Sequence, residues 1–75
     1  MTKRELLEFL AESAEAGATE VAAAFGVPYS VAAMGLLRLV RQGLASRYID
    51  PDRGAYWYGL SDRGQARLAY LREGD

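Results

Sequence analysis

The sequence predicts a mainly helical α+β domain, with three helices, a two-stranded hairpin and a closing helix in that order. Three observations predict it. Residues 19–44, TEVAAAFGVPYSVAAMGLLRLVRQGL, read as a short helix, a tight turn at Gly26, a longer helix and a glycine stop. Residues 44–60 then turn rich in Tyr, Ile and Trp around an Asp-Pro-Asp-Arg-Gly turn. Residues 62–72 return to helical spacing behind a serine. Seventy-five residues make one domain, 1–75, with a thin core.

The first helix is expected over residues 3–15. Thr2 is its N-cap and Glu5 completes a capping box. Leu6, Leu7, Leu10 and Ala14 share the core side, while Glu5, Glu8, Glu12 and Glu15 form an acidic, solvated stripe. Phe9 falls between the two, as core rim or dimer contact. Gly17 is read as the stop of this helix. Thr19 is read as the cap of a second helix, 19–25, with Val21 and Phe25 as its core pair.

Gly26 supplies the turn, and Pro28 suits the first turn of a third helix, 28–42, where its missing N–H costs nothing. The core stripe of that helix is Ala32, Gly35, Leu36, Leu39 and Val40, and Gly43 ends it. Strands 44–50 and 55–60 form the hairpin, with Pro51 presetting φ and Gly54 allowing positive φ. Tyr56, Tyr58 and Leu60 are expected inward, with Trp57 on the other face. Ser61 caps the last helix, 62–72, whose core face is Gly64, Leu68 and Leu71.

Charge is unevenly spread. Residues 1–25 carry two basic and five acidic side chains; residues 26–72 carry seven arginines and three aspartates. The positive half is the part that would meet nucleic acid. Eight of the nine basic residues are arginine, which suits phosphate and guanine but also fits codon bias or thermal adaptation. No cysteine or histidine is present, so disulfides, thiolate or imidazole metal ligands and Cys or His nucleophiles are excluded. The glycines form no phosphate loop. Neither an enzyme nor a cofactor is expected. The longest apolar run is far short of a membrane span, and the charged N-terminal stretch is not a signal peptide. The expectation is a cytoplasmic protein with no membrane contact.

Helix, helix, helix, hairpin, helix is the order of a winged helix-turn-helix domain. Between Gly26 and Gly64, the runs GVPYSVAAMGLLRLVRQGLA, DPDRG and YGLSDRG resemble the core of MarR-type and PadR-type bacterial transcriptional regulators. The shared features are Gly26 before the long helix, Leu39, Gly43-Leu44, the Asp52-Arg53 wing tip, and Leu60-Ser61 with Gly64. The resemblance implies that the third helix enters the major groove of double-stranded DNA, while the wing arginine reaches the minor groove or a phosphate. By position, the implied contacts are Tyr29, Ser30, Ala33, Met34, Leu37, Arg38 and Arg41 on the helix. Arg53 holds the wing position, supported by Arg47. Thr19, at the start of the second helix, offers N–H groups to a phosphate.

Full MarR-type proteins carry further helices that dimerise and bind an effector. A homodimer of this chain is therefore expected to use its first and last helices, through Phe9, Ala66 and Tyr70. The alternative to DNA binding is a protein-interaction or assembly module. Ser30, Met34, Leu37 and Arg41 share the outward stripe of the third helix, and the apolar pair Met34 and Leu37 would suit a protein partner. Tyr48, Tyr56, Trp57 and Tyr58 could stack single-stranded bases, although hairpin core is the favoured reading.

Overall fold

A computed structural model describes residues 1–74. Its elements are α1 (Lys3–Ser13), α2 (Ala18–Phe25), α3 (Tyr29–Arg41), β1 (Ala45–Asp50), β2 (Ala55–Leu60) and α4 (Asp62–Glu73). The expected order is observed, and the architecture is a winged helix: a helical body with a projecting antiparallel hairpin.

The capping box forms as read. The Thr2 hydroxyl accepts from the Glu5 N–H at 3.1 Å, and the Glu5 carboxylate accepts from the Thr2 N–H at 2.8 Å. The end of α1 differs from expectation. The helix stops at Ser13, and Ala14 adopts φ 64°, ψ −52°. The Glu15 N–H donates to the Ser13 carbonyl at 2.7 Å, which makes a three-residue γ-turn, a strained form at positive φ. Ala14 thereby leaves the core side and is exposed.

The reason lies two residues on. Ala16 is extended and pairs with Tyr58 of β2, its N–H donating at 2.9 Å and its carbonyl accepting at 2.8 Å. A helix continuing to residue 15 could not make that bridge. Gly17 is consequently the N-cap of α2, with φ −97°, and not the stop of α1. Glu20 reaches back to accept from the Gly17 N–H at 3.0 Å. Thr19, expected as the cap, is the second residue of α2 and is exposed.

Gly26 ends α2 in the left-handed region at φ 64°, ψ 37°, with its N–H bonded to the Ala22 carbonyl. The chain then bends by 117° into α3, within the range of a DNA-binding helix-turn-helix. Pro28 sits just outside α3 as its N-cap, one position earlier than expected, and its carbonyl accepts from Val31 and Ala32. Gln42 closes α3 and Gly43 turns at φ 74°.

Leu44, read as a strand residue, belongs to the junction instead. Its N–H donates to the Leu39 carbonyl at 2.8 Å, and its own carbonyl accepts from Ser61 at 3.1 Å. The hairpin pairs Ala45 with Leu60 through Asp50 with Ala55. At the tip, Asp50 accepts from the Asp52 N–H at 2.9 Å, and Gly54 adopts φ 66°. Ser61 caps α4, accepting from the Gly64 N–H at 3.0 Å while donating its hydroxyl proton to the Gly43 carbonyl at 2.6 Å. The helix runs one residue past the expected end.

The core gathers Leu6, Leu7 and Leu10 of α1, Val21 of α2, Ala32, Leu36 and Leu39 of α3, then Leu44, Tyr58 and Leu68. Among the described residues no polar or charged side chain is buried, so packing of these apolar faces stabilises the domain. Only the base of the hairpin rests on this core. Tyr58 is 5% exposed and Leu60 half-buried, whereas Tyr56, expected inward, is exposed. Strand alternation assigns faces, but the outer part of a projecting hairpin has no core beneath either face.

Candidate nucleic-acid interface

The helix-turn-helix presents one long face of α3. Ser30, Met34, Arg38 and Arg41 are exposed along it, and Tyr29 at its start is 63% exposed. Leu37 is half-buried. Ala33 is partly buried against the core and lies at the margin of the outward stripe. Among the described residues, Arg38 and Arg41 have no carboxylate partner. Both lie in the last turns of α3, where the helix dipole favours positive charge.

The start of α3 joins α2 and the hairpin around a hollow of about 480 Å³, whose walls include Thr19, Tyr29, Arg53, Tyr56 and Trp57. The fold thus brings together three predicted contact residues, Thr19, Tyr29 and Arg53, from three elements. Arg38 and Arg41 lie toward the opposite end of α3 and do not line this hollow.

Arg53 stands at the wing, but its guanidinium does not project as a free probe. It folds back onto three partners. Its Nε donates to Asp50 at 2.6 Å, its Nη2 donates to Glu15 at 3.1 Å, and its Cζ lies 3.7 Å from the centre of the Trp57 ring. Glu15 also accepts from the Tyr48 hydroxyl. The Tyr48 hydrogen bond, then that of Arg53, holds the Glu15 carboxyl below the usual carboxylate range. The Arg53 hydrogen bond does the same for Asp50, and the Asp50 contact raises Arg53. Bonding to Glu15 raises the Tyr48 phenol.

Arg47 lies 4.4 Å over the Tyr56 ring, so it extends along the hairpin instead of supporting Arg53. The aromatic group is not mainly core, contrary to the favoured reading. Tyr58 alone is buried; Tyr48 and Tyr56 are exposed and Trp57 is half-buried. Sequence reasoning missed the clamp on Arg53. The three-residue spacing from Asp50 to Arg53 is a visible local signal. The Glu15 contact spans 38 residues and has none.

The three residues expected at a dimer interface are not gathered on one surface. Phe9 is half-buried, its ring 5.6 Å from that of Phe25 at the α1–α2 contact. The side of α1 facing α4 is marked instead by Glu8, which lies 3.6 Å from Arg72. Phe9 is therefore core rim, while Ala66 and Tyr70 are exposed on α4. Among the described residues no group of His, Cys, Asp and Glu could hold a metal ion, and no single helix is long and apolar enough to cross a membrane.

Comparison with solved structures places this frame among transcription regulators. A MarR family transcription regulator is 27% identical, with a TM-score of 0.86 over 96% of this chain and 48% of that one. A MarR family transcriptional regulator from Silicibacter pomeroyi is 28% identical, with a TM-score of 0.83 over 95% of this chain and 48% of its own. MarR from E. coli, solved with operator DNA, shares the fold at 19% identity, with a TM-score of 0.87 over 95% of this chain and 51% of its own. The chain thus spans about half the length of the proteins it resembles. No curated protein matches its sequence. The IclR helix-turn-helix domain matches residues 5–47, from the first turns of α1 into β1 and more than half of the chain. This chain belongs to the IclR helix-turn-helix domain family.

Proposed function

We propose that this chain is a DNA-binding transcriptional regulator that acts by occluding or bending promoter DNA, not by chemistry. The observation that carries the proposal is the outward face of α3. It is solvent-open, set at a 117° bend from α2, and ends in Arg38 and Arg41 without carboxylate partners among the described residues. In this reading α3 lies in the major groove. Tyr29 and Ser30 donate to phosphate or base, Met34 meets a thymine methyl with Ala33 at the margin, and Arg38 and Arg41 neutralise phosphates. Thr19 and the α2 N-terminus take a phosphate beside the hollow. Arg53, once released from Glu15 and Asp50, reaches the minor groove or a phosphate, with Arg47 on the same hairpin. The E. coli MarR structure containing operator DNA supports this reading through a shared fold.

Fluorescence anisotropy with a mixed-sequence duplex at low ionic strength tests it. Binding that weakens with salt, and on Arg38→Ala and Arg53→Ala, is expected. No binding at high micromolar protein refutes it.

A second reading has its own observation. Met34 is 45% exposed and Val31 46%, beside half-buried Leu37, on the same helix. Such a surface suits a protein partner or self-association. Sedimentation of wild type against Met34→Lys/Leu37→Glu decides it: an unchanged mass, with no partner recovered by wild-type protein, counts against this reading.

A further inference from the structure

The nine basic side chains divide sharply by partner. Arg4, Arg53 and Arg72 lie beside carboxylates, and Arg47 lies over Tyr56. The other five, Lys3, Arg38, Arg41, Arg63 and Arg67, have no ion pair among the described residues. These five are not scattered. Lys3 of α1, Arg41 of α3, and Arg63 and Arg67 of α4 surround one shallow hollow of about 340 Å³, and no Asp or Glu lines it. An adjoining hollow shares Lys3 and Gln42 and adds Arg38. Three helices therefore build one continuous positive band around the C-terminal end of α3. Arg63 is laid across Gly43, where a Cβ would stand 3.5 Å from its Nη1.

This grouping opposes local electrostatics. Like charges collected on one surface repel. The α3 dipole offsets part of that for Arg41, at the helix's negative end. Lys3 and Arg63 occupy the first turns of α1 and α4, the positive ends, where the dipole disfavours cations. Glu5 and Asp62 share those first turns but, among the described residues, form no ion pair with Lys3 or Arg63, which leaves both cations open to an anionic partner.

We infer that this band binds the phosphodiester backbone of DNA beside the stretch contacted by α3. The inference rests on the DNA-binding reading and extends its footprint from α3 and the wing onto α1 and α4. Two features select a backbone over a small anion. The band is open and runs over three helices, which matches a strand carrying a series of charges. Arg41 belongs both to the band and to the outward stripe of α3, so the two surfaces are continuous. A duplex engaged by α3 and running on past Arg41 meets Arg63 and Arg67 next.

The test is the salt dependence of duplex binding, measured by fluorescence anisotropy for wild type, Arg63→Ala/Arg67→Ala and Arg63→Lys/Arg67→Lys. Each phosphate contact contributes about 0.9 to the slope of log K against log salt. The double alanine variant is expected to lower the wild-type slope by about 1.8. The double lysine variant, which keeps the charge, is expected to retain it. Wild-type binding with an unchanged slope in the alanine variant overturns the band and leaves α3 binding intact. Equal loss in the alanine and lysine variants also overturns it, since charge is then not what matters. Absence of wild-type binding overturns this inference and the DNA-binding reading together.

Discussion

Gly64 is pressed against the backbone of Leu44. A Cβ at position 64 would lie 1.8 Å from the Leu44 carbonyl oxygen and 3.2 Å from the Leu60 side chain. The obstruction is main chain, and that carbonyl also accepts from Ser61, so it has little freedom to withdraw. Gly64→Ala is expected to destabilise by about 2 kcal/mol or more, at the upper end of overpacking effects. In a domain of this size that lowers the melting temperature by roughly 10 °C, measured by circular dichroism. An unchanged melting temperature would show that α4 is not seated on Leu44.

Ala14 offers the opposite change. Its φ of 64° and ψ of −52° place a Cβ-bearing residue where glycine is at ease. Ala14→Gly is expected to stabilise by about 1 kcal/mol, the low end of the cost of such backbone strain. The corresponding rise in melting temperature is about 4–8 °C. A fall instead would mean that the γ-turn is not the resting geometry.

Acid is expected to loosen the wing. Glu15 and Asp50 are held below their ordinary ionisation range by hydrogen bonds to Tyr48 and Arg53. Groups depressed in this way contribute fully above their unfolded pKa, and that contribution is lost as pH falls through the lower folded value. The melting temperature is therefore expected to be level between about pH 5 and 8, where a chain without histidine has no ordinary side-chain titration. It should fall below about pH 4. Glu15→Gln should make that acid decline shallower, and a decline identical to wild type would disprove the role of the clamp.

In the DNA-binding reading the same clamp competes with DNA for Arg53. Glu15→Gln removes a negative charge beside the wing and one of the two anionic holds on Arg53. In the DNA-binding reading, duplex affinity at low salt is expected to rise about two- to fivefold, the scale of a solvent-exposed ion pair. Weaker binding would instead show that Glu15 positions the wing for DNA.

Self-association through α4 is the last expectation. Tyr70 is 70% exposed, close to Leu71 and Arg4, with Ala66 one turn earlier on the same helix. If a dimer forms there, Tyr70→Ala lowers the sedimenting mass. A dimer indifferent to that change uses another surface.

What the sequence disclosed was mostly local. The Thr2–Glu5 box and the Ser61–Gly64 cap each close over three residues, and both formed as read. The α3 core stripe is periodic and was equally legible. The misplaced cap of α2 arose because Gly17 and Thr19 can both serve at that position. Glu20 settles the matter by reaching back to Gly17, and Ala16 by its pairing with Tyr58. That bridge and the Glu15–Arg53 contact join segments about 40 residues apart, so no window of local sequence contains them. The positive band escaped notice for a related reason. Lys3, Arg41 and the Arg63–Arg67 pair are far apart in sequence and meet only when three helices pack.

Both feet of the hairpin are fastened at one place. Leu44 accepts from Ser61, and the Ser61 hydroxyl donates to Gly43, where α3 ends and α4 begins. The segment between them is a closed handle whose tip meets the body where Arg53 reaches Glu15. Pro51 and Asp52 at its tip are exposed and can therefore be exchanged without re-registering the helices, while Arg53 keeps its hold on Glu15 and Gly54 its positive φ. In the DNA-binding reading, the helical body serves as a fixed chassis, and site preference is open to change at the handle's far end.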